Sequence, residues 1–125
     1  MECRNFTSGR KKYKLSASLM AAGRDKVVVI TGGTVPHIGA TAVATPRPSL
    51  TGKGQSASVS VICQLGHLDD EFARGAAQML SRITGGVVTV TVGIHIDNAQ
   101  AADLEMFQFT FNQLLELIKN SLSSS

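Results

Sequence analysis

Hydrophobic and polar residues alternate from Tyr13 onward. Tyr13, Leu15, Ala17 and Leu19 are set against Lys14, Ser16 and Ser18, the two-residue period of a half-buried strand. Lys26 to Thr31 (KVVVIT) is a β-branched run without alternation, which predicts a central strand covered on both faces. Ala40–Thr45, Ala57–Cys63 and Val87–Val92 predict three more strands, and Pro46 to Ser56, with two prolines and two glycines, predicts a surface loop. From Gly66 the period changes. Leu68, Phe72, Ala76, Met79, Leu80 and Ile83 recur at three- and four-residue spacing, with Asp69, Asp70 and Glu71 in the first turn and Gly85-Gly86 at the end. A second helix is predicted from about Asn98 to Lys119, striped by Leu104, Phe107, Phe111, Leu114 and Ile118. The order β-β-β-β-α-β-α predicts a single α+β domain, with a largely antiparallel sheet of about five strands and two main helices packed on it.

The chain has 125 residues, enough for one domain with its own core and too few for two. Residues 13–120 form the expected domain, 1–12 a flexible basic segment and 121–125 a frayed tail. The net charge of +3 is unevenly placed: the first 26 residues carry +5 and the rest −2. A nucleic-acid surface spreads its cations along a groove or helix face with aromatic partners, so this distribution argues against nucleic acid. Cys3 and Cys63 have no CxxC spacing, and Cys63, closing an apolar run, is expected to be a small buried hydrophobe. No stretch approaches the length of a membrane span and the polar N-terminus is no signal peptide, so the expected compartment is the cytoplasm. A homodimer is expected of so small and aliphatic-rich a domain.

Chemistry-bearing residues are few. Each of the three histidines stands near glycine at an element boundary: Pro36-His37-Ile38-Gly39, Gly66-His67-Leu68 and Gly93-Ile94-His95-Ile96-Asp97. Three imidazoles could hold a divalent ion such as Fe or Zn with an open position, yet the spacings match no compact metal signature. Each His could equally cap a helix or a strand. Asp97 and Gln100 have the spacing of a capping box, Asp69 to Glu71 suit a helix dipole, and Asp69, Glu71 or Asp97 could alternatively orient an imidazole. Gly32-Gly33-Thr34 after a strand could cradle a phosphate, but it is neither a Walker loop nor GxGxxG, and Lys53 between glycines lacks P-loop context. No nucleophile stands beside a base, so no catalytic residue is assigned.

The elements Thr31-Gly32-Gly33-Thr34-Val35-Pro36-His37-Ile38-Gly39 and Gly93-Ile94-His95-Ile96-Asp97, joined by Gly66-His67, resemble a known family. The sequence is similar to the small accessory (D-type) component of gallate/protocatechuate-type (UbiD-like) decarboxylases, a prenylated-flavin chaperone-like family, over most of its length from Tyr13. That resemblance implies a protein that binds prenylated FMN and delivers or matures it for the UbiD-type large subunit. It carries over His37, His67 and His95 as ligands to cofactor or metal, and Gly32, Gly33, Thr34 and Gly39 as cofactor-binding positions. Many relatives carry a basic residue after Gly-His, where this chain has Leu68-Asp69-Asp70-Glu71.

Three functional classes stand side by side: a flavin-binding accessory protein, a small three-His metal-dependent hydrolase or lyase, and a cofactor-free assembly chaperone of the decarboxylase. Whether the chain is itself an enzyme is left open by the residues.

Overall fold

The computed structural model describes residues 2–52, 54–64 and 69–123. Its elements are β1 (Cys3–Ser8), β2 (Leu15–Ala22), β3 (Asp25–Gly33), β4 (Ala40–Pro48), β5 (Gln55–Cys63), α1 (Asp69–Thr84), β6 (Val88–His95) and α2 (Ala101–Ser123), with one 3-10 turn at Lys11–Tyr13. The strands form one sheet in the order β1-β2-β3-β6-β4-β5. Only β3 and β6 pair in parallel; the other neighbours are antiparallel. The α+β architecture read from the sequence holds, with six strands in place of five.

Both helices lie on the same face, and the register shows why. Ile30 pairs with Ala17 and Val92, and Val28 with Leu19 and Val90, so the alternating apolar set of each strand points to one side. On that side the sheet is sealed. Leu15, Val28, Ile30, Val88, Val90 and Val92 are all fully buried. Under α1 the packing is small on small: Ala40, Ala42 and Ala44 of β4 face a helix whose inner residues are Ala73, Ala76, Ala77 and Leu80. Under α2 it is large on large, with Phe107, Phe111, Leu114 and Ile118 buried above β1 and β2. Phe72 and Phe111 stack at 4.5 Å between ring centroids and tie the two helices together.

Several expectations change. The basic N-terminal segment, read as flexible, forms β1 and pairs with β2 from Cys3 to Ser8. Its Phe6 packs against the core, and Arg4 reaches α2, where Nη1 donates to the Ser121 carbonyl at 3.2 Å and hydroxyl at 2.8 Å. The last turn of α2 has no basic residue of its own, so Arg4 supplies the cation that a helix C-terminus favours. Cys63, read as buried, is exposed, because β5 is an edge strand and Cys63 is its last residue, beyond Ala57, Val59 and Val61, which pack against the core. The segment Pro46 to Ser56, read as a loop, is mostly a longer hairpin in which Pro46 pairs with Ala57 and Pro48 with Gln55.

KVVVIT is covered on one face only, since Val27 and Val29 are half-buried beside fully buried Val28 and Ile30. The second helix begins at Ala101, and Gln100 with Asp103 makes one half of a capping box: the Gln100 backbone N–H donates to Asp103 Oδ2 at 2.9 Å, leaving Asp97 for another role. Among the described residues no helix is long and apolar enough to cross a membrane.

Candidate functional site

The parallel pair β3 and β6 ends at one edge of the sheet, and there the sequence motifs meet. Gly33 pairs with His95, and its φ of +82° with the His95 carbonyl against its Cα leaves no space for a Cβ. Thr34 donates twice to that same carbonyl, from its backbone N–H at 2.7 Å and its hydroxyl at 3.3 Å. These bonds fix the backbone from which the His95 ring projects. Gly93 works on the opposite side: the His37 carbonyl lies where a Cβ would stand, so the loop carrying His37 can close over β6. Gly39 continues this seam, donating its N–H to the Val92 carbonyl at 2.9 Å and accepting from Gln64 N–H at 2.8 Å.

The consequence is that His37 and His95 meet edge to face, with ring centroids 5.6 Å apart and planes at 82°. His95 Nε2 also lies 3.0 Å from Asp97 Oδ1. With a carboxylate as acceptor, Nε2 carries the hydrogen, and in the neutral ring Nδ1 then presents a lone pair. At the head of α1, Asp69 is buried and its Oδ1 accepts from the Ile94 backbone N–H at 3.2 Å. A residue read as serving the helix dipole or a neighbouring imidazole thus anchors the strand next to His95.

These groups rim a cavity of about 540 Å³, within the range of small-molecule sites. One end is polar, with His37, Gln64, Asp69 and His95; the body is apolar, with Phe72, Ile94, Ile96, Leu104 and Phe107. Phe107 is braced from behind by Tyr13, edge-on at 5.2 Å. Tyr13 in turn donates its hydroxyl to Asp103 Oδ1 at 2.5 Å, and Lys12 Nζ pairs with the same oxygen at 3.1 Å. The hydrogen bond from Tyr13, then those from the Gln100 backbone and Lys12, hold the Asp103 carboxyl down at about 2. Each partner's own hydrogen bond to Asp103 in turn pushes Tyr13 up and Lys12 up.

Of the positions singled out in the sequence, His37, Gly39 and His95 come together on the cavity wall. Gly32, Gly33 and Thr34 are not among its lining residues; they sit in the ladder behind His95, with the Thr34 N–H already bonded. His67 lies outside the described residues. Among the described residues, no group of three or more His, Cys, Asp or Glu side chains is placed to hold a metal ion. Sequence reasoning missed the apolar half. Phe72, Leu104 and Phe107 belong to helical stripes that read as core, and two of them are buried while Leu104, at the head of its stripe, is 41% exposed over the cavity. The only signal for this was that the Leu104 end of the stripe lies next to the Gly93–Asp97 motif.

Residues 9–123 match the family model described as the prenylated flavin chaperone LpdD-like domain. The chain is 31% identical over 101 residues to Protein LpdD of Lactiplantibacillus plantarum, a match covering 79% of this chain and 70% of that protein. Among solved structures it is similar to a chain in the crystal structure of a chaperone complex for yeast 20S proteasome assembly. That likeness has a TM-score of 0.60 at 15% identity over 98% of this chain and 99% of that one, and it bears on the fold alone. The motifs around His37 and His95, the α+β fold and the match over nearly the whole length agree: this chain belongs to the prenylated flavin chaperone LpdD-like family.

Proposed function

We propose that the cavity beside His37 and His95 holds prenylated FMN, and that the chain delivers or matures it for a UbiD-type aromatic-acid decarboxylase. Membership in the family carries the accessory role toward prenylated flavin. The single observation that supports this site is a cavity of about 540 Å³, apolar in its body and rimmed at one end by two facing imidazoles.

The residues fit a flat, largely apolar ring system with one polar edge. Phe72, Leu104 and Phe107 exclude water from the ring faces. His37 and His95 offer nitrogen donors and acceptors to the polar edge, and Asp97 selects the His95 tautomer. When bound, the flavin supplies the redox-active ring that the partner uses; this chain binds it, orients it and shields it. A rim in which His95 and Asp97 are solvent-accessible suits a ligand that must leave again. No residue of the site is assigned a catalytic role.

The test is retention. Chain incubated anaerobically with reduced prenylated FMN is desalted and its absorbance read. Wild type is expected to keep flavin and the His37→Ala, His95→Ala double variant to lose most of it; equal retention overturns the site. A divalent ion such as Fe or Zn would need a ligand beyond this pair, and native mass spectrometry of the purified chain reads flavin and metal together. Metal bound stoichiometrically without flavin, with turnover abolished by a chelator, would favour a metal-dependent enzyme instead.

A further inference from the structure

We propose that two copies of this chain associate face to face through the open side of the sheet, the side turned away from α1 and α2. Each strand sends alternate residues to this side. On β2 from Ser16 to Met20, β3 from Val27 to Thr31, β4 from Thr41 to Thr45, β5 from Ser58 to Ile62 and β6 from Thr89 to Thr91, those residues are Ser, Thr, Val, Met or Ile without exception. In a chain that is 17% charged, a sheet face kept for water would carry Lys or Glu at such positions. The nearest charges flank the face at its ends: Asp25 and Arg47 near the start of β3 and the end of β4, and Lys14 just before β2 at the opposite end.

The occupant is a second copy because the pattern is self-complementary. Met20, Val27, Thr89 and Val43 form one row across the sheet, linked through consecutive pairings. A two-fold axis along the strands, between β3 and β6, lays β2 of one copy over β4 of the other. Met20 of each copy then meets Val43 of the other at the same level, and Val27 meets Thr89. This is the i-to-j, j-to-i contact of an isologous interface. The strands of the two sheets run within about 30° of each other, about 10 Å apart, as in a sandwich with the helices outside. With β1, whose residues on this side (Cys3, Asn5 and Thr7) are also uncharged, the face spans all six strands and measures roughly 29 Å by roughly 20 Å, so two copies cover about 1,160 Å² together, above the about 1,000 Å² a specific interface needs. A partner with a charged surface would have to bury its charges against this face unpaired.

Sedimentation equilibrium of the full chain without flavin, over about 1–100 µM, tests this. The expected mass is twice the 13.2 kDa of one chain. Val43→Glu and, separately, Met20→Glu each bury an unpaired carboxylate twice per dimer, and each should weaken association by about 100-fold or more. Circular dichroism confirms that the variant compared is folded. Leu117→Glu, on the exposed flank of α2, should leave the dimer intact. A monomeric wild type, a dimer that survives both sheet variants, or one split by the α2 variant overturns the proposal; so does association that appears only when a decarboxylase is added. Because flavin is absent throughout, the outcome does not depend on the cofactor reading.

Discussion

The His37 and His95 rings meet edge to face at 5.6 Å although 58 positions separate them in the chain. The contact exists because Gly93 lets the His37 carbonyl lie directly against β6. Gly93→Ala should therefore cost about 1–3 kcal/mol, since backbone must move to admit the methyl group, and should separate the rings. Thermal melts measure the first effect and flavin retention the second. A variant as stable as wild type with undiminished retention would show that the close approach is dispensable.

Leu104 and Leu114 lie on one helical stripe but have different work. Leu114 is fully buried, and Leu114→Ala should cost about 2–5 kcal/mol. Leu104 is 41% exposed at the cavity, so Leu104→Ala should cost less than about 1 kcal/mol yet lower flavin retention severalfold. Urea melts of both variants, set beside their retention, separate core from cavity wall. Equal losses of stability would contradict the division.

Tyr13 is the single tyrosine of a chain without tryptophan, so tyrosinate absorbance near 295 nm reports one group. Its hydrogen bond to Asp103 favours the neutral phenol, so its midpoint should lie above the ordinary value of 10. Asp103→Asn should bring the midpoint back down. The sign for stability follows: support from the neutral phenol is complete below pH 10 and is lost as pH rises through the higher folded midpoint. A midpoint at 10 in the wild type would disprove the bond.

Asp103 gives the complementary acid-side prediction. Its carboxyl is held at about 2, against 3.8 ordinarily, so its ionised form stabilises the fold above about pH 4, and that support fades as pH falls toward 2. Asp103→Asn should thus be less stable than wild type at pH 7, with the gap narrowing through that window. Urea midpoints at stepped pH follow it, and a gap constant from pH 7 to pH 2 would assign the loss to packing.

Arg4 tests the N-terminal strand. Arg4→Ala removes two charge-assisted bonds at the end of α2 and should cost about 1 kcal/mol, with faster hydrogen exchange in the last turn of that helix. Unchanged exchange there would mean that the contact adds nothing to the helix end.

The sequence by itself determined five of the six strands, both helices and the α+β class. Period-two and period-3.6 patterning, glycine punctuation and helix-end charges are local, and local signals survive without coordinates. It also singled out His37, Gly39 and His95, which the fold brings to one cavity wall, because motifs that stand at strand ends are legible as strings. Only the tertiary structure decided what depends on distant partners. The pairing of Cys3–Ser8 with β2 turns a basic stretch into a strand, and the edge position of β5 exposes Cys63. The insertion of β6 between β3 and β4 brings the histidine loops together, a long-range choice no window of residues contains. Leu104 and Phe107 show the limit most plainly. Both obey one helical period, and whether an apolar side chain fills a core or walls a cavity is set by what lies opposite it, which periodicity does not encode.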